Sequence, residues 1–322
     1  MNRLKIALAA IAIVAAGTVA AQDLTSVNAK YAEAAAAIQA KNFAAAVPLF
    51  EQVISEGADI EGAEAMVTGA KQNLPVATYQ MGGSAFQGGR LDEALASFTK
   101  AAEVAELYGN AAVLNNARTW IGRTVLRQGA DAFNAKDYAA AAAIFQKGYE
   151  GNPNDTAVAM NLAMSYIGMG DYEKGNEIYR AVIALGGTDS RFAEAAAKAS
   201  EQFTSDNLVR ASEAAKAQDF DGAIAATDEI IASVPAAALA HLTRLQAYNS
   251  QKNYAKVIET GEAAAAAQTT DEDRSAVNFL VGAAYQNTEA YPAAIEAYRK
   301  VTAGPNAAAA RAQITELQKV VK

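Results

Sequence analysis

Arg123 and Arg127 are the first side chains whose type and spacing could do chemistry. Four residues apart is one face of a helix, so the two guanidinium groups could grip a carboxylate with paired N–H donors. Little else in the chain is reactive. It holds one histidine, His241, and no cysteine. That excludes a multi-histidine or thiolate metal site, a disulfide, a cysteine nucleophile and a lipid-anchoring cysteine within one chain. His241, in "AHLTRLQAY", has no second His or Cys to share a ligand and reads as a packing or rim histidine. The glycines of "MGGSAFQGGR" (Met81 to Arg90) follow no strand signal, so they do not read as a phosphate loop. "DEDR" (Asp271 to Arg274) lacks the spacing of a calcium loop and reads as a turn that caps a helix. No G-x-S-x-G elbow or S-x-x-K motif appears. These residues point away from an enzyme and imply neither a cofactor nor a metal.

Composition narrows the class. The chain has 322 residues, 52% hydrophobic and 19% charged, which suits a large core or a long repeat array. Its net charge of −8 repels phosphate backbones, and no Lys/Arg block opposes that, so nucleic acid is not an expected partner. The opening "MNRLKIALAAIAIVAAGTVAAQ" has Arg3 and Lys5, an apolar run from Ile6 to Ala21, and small residues at Val19-Ala20-Ala21. It reads as a signal peptide over 1–21, cut before Gln22. An uncleaved anchor is the weaker reading, because sixteen apolar residues span roughly 24 Å as a helix against a hydrocarbon core of roughly 30 Å. The expectation is an exported protein of the periplasm or cell envelope, not a lipoprotein, with no membrane insertion after cleavage.

The elements that position these residues are announced by repetition. "AKNFAAAVPLF" (Ala40 to Phe50) nearly recurs as "AKDYAAAAAIF" (Ala135 to Phe145). An Asn or Asp followed by an aromatic occurs at Asn42-Phe43, Asp137-Tyr138, Asp171-Tyr172, Asp219-Phe220 and Asn253-Tyr254, with weaker forms at Arg90-Leu91 and Ala290-Tyr291. The steps between them are 48, 47, 34, 48, 34 and 37 residues, and thirty-four is a helix–turn–helix period. Three residues after each pair stands a short residue: Ala46, Ala94, Ala141, Gly175, Ala223, Val257, Ala294. Four further on, most units carry a ring: Phe50, Phe98, Phe145, Tyr179, Tyr298. Nine before the aromatic lies another small residue, Ala34, Gly82, Gly129, Ala163, Ala211 or Gly282, with Leu245 the exception. Small residues at both places predict two antiparallel helices in close approach. The steps near 48 predict that the first helices of units two, three and five are lengthened. "NLP" (Asn73 to Pro75) is expected to kink or split the second unit's long helix.

With Leu162, Ala163, Tyr166, Tyr172, Gly175 and Tyr179 in "NLAMSYIGMGDYEKGNEIYRAVIALGG", the chain resembles the tetratricopeptide repeat family, of exported bacterial type. "VGAAYQNTEAYPAAIEAYRKV" (Val281 to Val301) carries the same pattern. The resemblance implies an all-α, right-handed α-solenoid forming one domain over 22–322. Its seven units fall near 27–60, 75–108, 122–155, 156–189, 204–237, 238–271 and 275–308, and a cap helix covers 306–322.

The family's groove positions, carried over, give Tyr31, Ile38, Gln39, Tyr79, Phe86, Gln87, Leu126, Phe133 and Asn134 in the first half. In the second half they give Gln246, Asn249 and Gln286, with Lys216, Leu242, Ser250, Phe279 and Asn287. Aromatic anchors beside amides suit a protein or peptide segment. In one branch of the family, a basic pair where Arg123 and Arg127 stand joins Lys and Asn residues to clamp a C-terminal carboxylate. Here the other positions are Tyr31, Ala35 and Gln80, so only two of five match and the arginines read as a solvated face. The expected function is a non-catalytic scaffold for a protein or peptide partner, with a carbohydrate- or cell-wall-binding module as the alternative.

Overall fold

The computed structural model describes residues 19–321. Residues 1–18, which carry most of the expected leader, lie outside the described residues. Fifteen α-helices and one short 3-10 turn follow one another, with no strand among the described residues. They are α1 (Val19–Gln39), α2 (Phe43–Glu56), α3 (Glu64–Gln87), α4 (Leu91–Leu107), α5 (Ala111–Asn134), α6 (Tyr138–Gly151), α7 (Thr156–Gly168) and α8 (Tyr172–Thr188). After the 3-10 turn at Ser190–Phe192 come α9 (Ala193–Lys216), α10 (Phe220–Ser233), α11 (Ala238–Ser250), α12 (Tyr254–Ala266), α13 (Asp271–Asn287), α14 (Tyr291–Arg299) and α15 (Asn306–Val320). Taken two by two they make seven hairpins and a final helix, an all-α solenoid. The packing divides into two compact units at Ile178–Tyr179, inside α8.

The hairpin turns share one geometry. In each, the residue just before the repeated pair is left-handed: Lys41, Gly89, Lys136, Gly170, Gln218, Lys252 and Glu289, with φ between 57° and 81°. The amide of the next residue reaches back five residues, as in Asn42 N–H to Ala37 O at 2.8 Å and Asp137 N–H to Ala132 O at 2.9 Å. This closes the last turn of the first helix. The same Asn or Asp opens the second helix by accepting a backbone N–H. Asn42 accepts from Ala45, Asp137 from Ala140, Asp171 from Lys174, Asp219 from Gly222 and Asn253 from Lys256. One residue therefore ends one helix and begins another, which is why Asn or Asp recurs there. Arg90 and Ala290 make no such side-chain bond.

Packing within a hairpin sets a ring against a small residue. A methyl group on Gly82 would stand 2.7 Å from the Phe98 ring, on Gly129 2.4 Å from Phe145, and on Gly282 2.7 Å from Tyr298. The small residue of the first helix is thus the floor on which the second helix's ring lies. Phe50, Phe98 and Phe145 are fully buried in the first unit, as is Tyr179 in the second. At Gly175 the backbones themselves approach: an added Cβ would lie 3.0 Å from the Ala163 carbonyl.

The first helices α3, α5 and α9 each run 24 residues, against 13 in α7 and α11. Helix α3 is continuous through Pro75, so the expected split does not occur. Buried polar side chains flank the proline and bond to other carbonyls of the same helix. Asn73 Nδ2 donates to Gly69 O at 2.9 Å and Thr78 Oγ1 donates to Leu74 O at 2.8 Å, and both residues are buried.

Replacing Asp137 with Ala is expected to cost about 1 kcal/mol of stability in urea unfolding, by loss of the cap. Gly129→Ala is expected to cost about 1–3 kcal/mol through the clash with Phe145. Phe145→Leu in the Gly129→Ala background should recover part of that, so the two changes will be non-additive.

Candidate functional site

Four rings and two arginines meet on α3, α4 and α5 of the first unit. Trp120 is their hub. Phe86 meets it edge-on with centroids 5.0 Å apart, and Phe98 stacks on it at 5.7 Å. Tyr79 tilts against Phe98 at 5.6 Å. Burial pushes the Tyr79 hydroxyl above its usual range, while a hydrogen bond with Trp120 and the charge of Arg123 pull it down. Phe98 is fully buried, but Tyr79, Phe86 and Trp120 are only half-buried, so the cluster runs from the core to the surface.

The arginines lie on the outer side of these rings. The Arg123 guanidinium carbon is 5.0 Å from the Trp120 ring centre, and that of Arg127 is 5.3 Å from the Phe86 centre. Both arginines are exposed. Of the eleven arginines among the described residues, eight pair with Asp or Glu; Arg123, Arg127 and Arg311 do not. Asp131, one turn beyond Arg127, makes no ion pair with it. The faces of the two guanidinium groups are thus held by rings, and their edges keep donors for an acceptor from outside.

The other expected site residues fall into three kinds. Gln39, Gln87, Asn134 and Gln246 are exposed, and Leu126, Phe133 and Asn249 are half-buried. Phe133 packs edge-on against Tyr138 at 5.4 Å, at the foot of α6. Tyr31 belongs to neither kind, and its expected place on the binding face is corrected. It is 7% exposed, lies edge-on to Phe50 at 6.0 Å, and turns its hydroxyl into the notch of Gly69 and Asn73. Ile38 is buried beside it in the same cluster. Gln286 is also corrected. Its Oε1 accepts from the Tyr298 hydroxyl at 2.9 Å and its Nε2 donates to Gln313 of α15 at 3.1 Å, so its amide is spent inside the second unit.

Elsewhere in the second unit, polar groups serve packing. Tyr179 donates its hydroxyl to Asp206 Oδ2 at 3.0 Å, and Gln202 donates to Asp206 Oδ1 at 2.9 Å. Glu229 receives Arg180 at 2.9 Å and Arg210 at 3.0 Å. His241 is 5% exposed with its Nε2 2.9 Å from Pro235 O, a packing position. Among the described residues no three His, Cys, Asp or Glu side chains are placed to hold a metal ion, and no helix is long and apolar enough to cross a membrane.

Tetratricopeptide repeat family models match residues 132–199 and 208–272. The chain is a tetratricopeptide repeat protein. The matched stretches begin near the α5–α6 turn and end at the start of α13. The chain is also similar to solved structures of this kind. A tetratricopeptide repeat protein from Parabacteroides merdae is 13% identical, covering 92% of this chain and 99% of that one, with a TM-score of 0.30. The yeast Sti1 TPR2AB domain, solved as a complex with an Hsp90 peptide, is 16% identical over 77% of this chain and 99% of that one, with a TM-score of 0.33. A protein of Thermus thermophilus is 16% identical over 61% and 98%, with a TM-score of 0.27. No curated protein sequence matches.

The tetratricopeptide frame accounts for Tyr79, Phe86 and Arg123 by position, but not for Trp120. That residue lies in the lengthened part of α5, ahead of the repeat unit at 122–155. Its cue in the sequence was being the chain's one tryptophan, three residues before Arg123.

The polar contacts of this tetratricopeptide protein also predict a pH response. Burial raises the Asp206 carboxyl above its usual 3.8 despite the bonds from Tyr179 and Gln202. A carboxyl raised on folding favours the protonated folded state. Its contribution is therefore full below the unfolded value and lost as pH rises through the folded one. Asp206→Asn is expected to remove that loss, so the stability gap between variant and parent should shift toward the variant as pH climbs from 3 to 7, read as Tm.

Proposed function

We propose that the chain is an exported, non-catalytic tetratricopeptide scaffold, and that the α3–α5 face of its first unit holds a segment of a protein partner. One observation carries this reading. Phe86 and Trp120 are half-buried rings whose outer faces meet guanidinium groups that have no acidic partner within the described chain. Rings of this kind supply anchoring area, and exposed Gln87 and Asn134 nearby in sequence can bind backbone groups. The frame is preformed by the hairpin packing, so a bound segment orders itself against a fixed surface. Export rests on the basic and apolar opening segment with its small-residue cleavage site. Tyr31 and Gln286 are taken by internal contacts and are lost to a protein partner and to the carbohydrate alternative alike.

A photo-crosslinking residue at Gln87 tests the reading in intact cells. It is expected to capture a specific protein that the same residue placed at Glu316 does not. Phe86→Ala combined with Phe133→Ala should abolish the product while circular dichroism stays unchanged. If that double variant retains every specific partner, the reading fails. Sequencing of the cell-envelope form is expected to begin at Gln22; a full-length cytosolic form would rule out export.

A further inference from the structure

We infer that the lengthened helix α9 seats the α9 of a second copy of this chain, the two helices running antiparallel about a two-fold axis. This surface lies in the second unit and shares no residue with the scaffold face proposed above. The lengthened helices differ in how they are covered. In the first unit the 17-residue α4 and the 24-residue α5 run on beside α3, and Val76 of α3, Ala101 and Ala105 of α4, and Val113 and Ala117 of α5 close into one cluster. In the second unit α9 is followed only by the 14-residue α10 and the 13-residue α11. Between Ala193 and Phe203 it buries Ala199 and Phe203 alone, whereas between Glu64 and Leu74 helix α3 buries Met66, Val67, Ala70, Asn73 and Leu74. A groove of about 550 Å³ stays open along α9, with Val234 and Ala237 of the α10–α11 turn on its other edge. Val209 on α9 and Leu239 at the start of α11 are 51% and 63% exposed.

The α9 side of the groove selects its occupant. It consists of Ala197, Ser200, Glu201, Thr204, Ser205 and Leu208, one helical stripe. The stripe has the same spacing read from either end. Laid antiparallel on its own copy, it sets Leu208 over Ala197, Ser200 against Ser205 and Glu201 against Thr204, each pair formed twice. The largest side chain meets the smallest, so the two helices approach without overpacking. Ser200, Glu201, Thr204 and Ser205 make no side-chain hydrogen bond among the described residues. By contrast Thr119, Thr124 and Thr260 on other helices bond back to carbonyls four residues earlier. The α9 hydroxyls thus keep donors for a facing copy, and each Glu201 carboxylate meets a Thr204 hydroxyl. Glu201 is the one charged residue of the groove, so the groove does not call for a partner of opposite charge. Contact from Ala197 to Leu208 with the adjoining turn lies at the low end of specific interfaces, about 1,200 Å² in total. That suits a reversible dimer with a Kd of roughly 10 μM.

The chain has no cysteine, so the register is readable by adding one at a time. Ser200→Cys protein mixed with Ser205→Cys protein is expected to form the mixed disulfide dimer several-fold faster than either forms a dimer with itself. Position 200 faces 205 in this arrangement, while like positions are offset by about 7.5 Å along the helix axis. Sedimentation equilibrium of the purified parent is expected to show a monomer–dimer equilibrium that tightens as salt screens the repulsion between two acidic chains. Ala197→Glu and Ser205→Glu, both at exposed positions, should each weaken it by about tenfold or more with circular dichroism and Tm unchanged. The same glutamate at Ser84, exposed on α3, should leave it as it was. A parent that stays monomeric at about 200 μM, self-cross-linking as fast as mixed cross-linking, or a dimer that survives both α9 glutamates would each overturn the inference. Capture of a partner at Gln87 and dimerisation through α9 are read on different helices, so either proposal fails without the other.

Discussion

Most hairpins of this molecule depend on an aromatic ring lying on a residue too small to hold it off. Where Phe98 meets Gly82, Phe145 meets Gly129 and Tyr298 meets Gly282, the two helices of a hairpin are set at a fixed distance. Burial of each ring contributes roughly 1.5–3 kcal/mol, a large part of what one hairpin can gather. A hairpin alone cannot cover its remaining apolar faces, and stacking on its neighbours covers them. The surface left over is decided by what the lengthened first helices carry beyond that contact. In the first unit, α5 carries Trp120 there, and Trp120 links the buried ring of Phe98 to the exposed Arg123. The candidate site is therefore an outgrowth of the core.

The fold was legible because its causes are local. Asn42, Asp137, Asp171, Asp219 and Asn253 each act on backbone groups within a few residues, and local causes leave local spellings. The lengthened helices were legible too, since fourteen residues are nearly four turns and keep the packing face in phase. Pro75 misled because it sits inside a helix whose buried packing residues continue on both sides of it, from Met66 to Ala85.

The site was legible only in part, and the reason is direction. A residue's place in a repeat says which helix face it occupies, and not where a long side chain ends. Tyr31 and Tyr79 hold similar places on α1 and α3. The hydroxyl of Tyr31 finds a notch at Gly69 and goes inward, whereas Tyr79 meets Trp120 and stays half-exposed. Gln286 was misread because its partner Gln313 comes from α15, a helix outside the repeat pattern. The arginines read as an ordinary wet face until the rings beneath them were placed.

The left-handed turns carry a consequence of their own. Lysine, glutamine or glutamate holds that conformation in five of the seven hairpins, at roughly 1–2 kcal/mol each relative to relaxed backbone. Gly89 and Gly170 hold it without strain in the other two. The array is thus spring-loaded unevenly along its length. The hairpin of α3 and α4, which contributes Phe86, Tyr79 and Phe98, is one of the two joints at rest, and its geometry can be inherited from the backbone without tension.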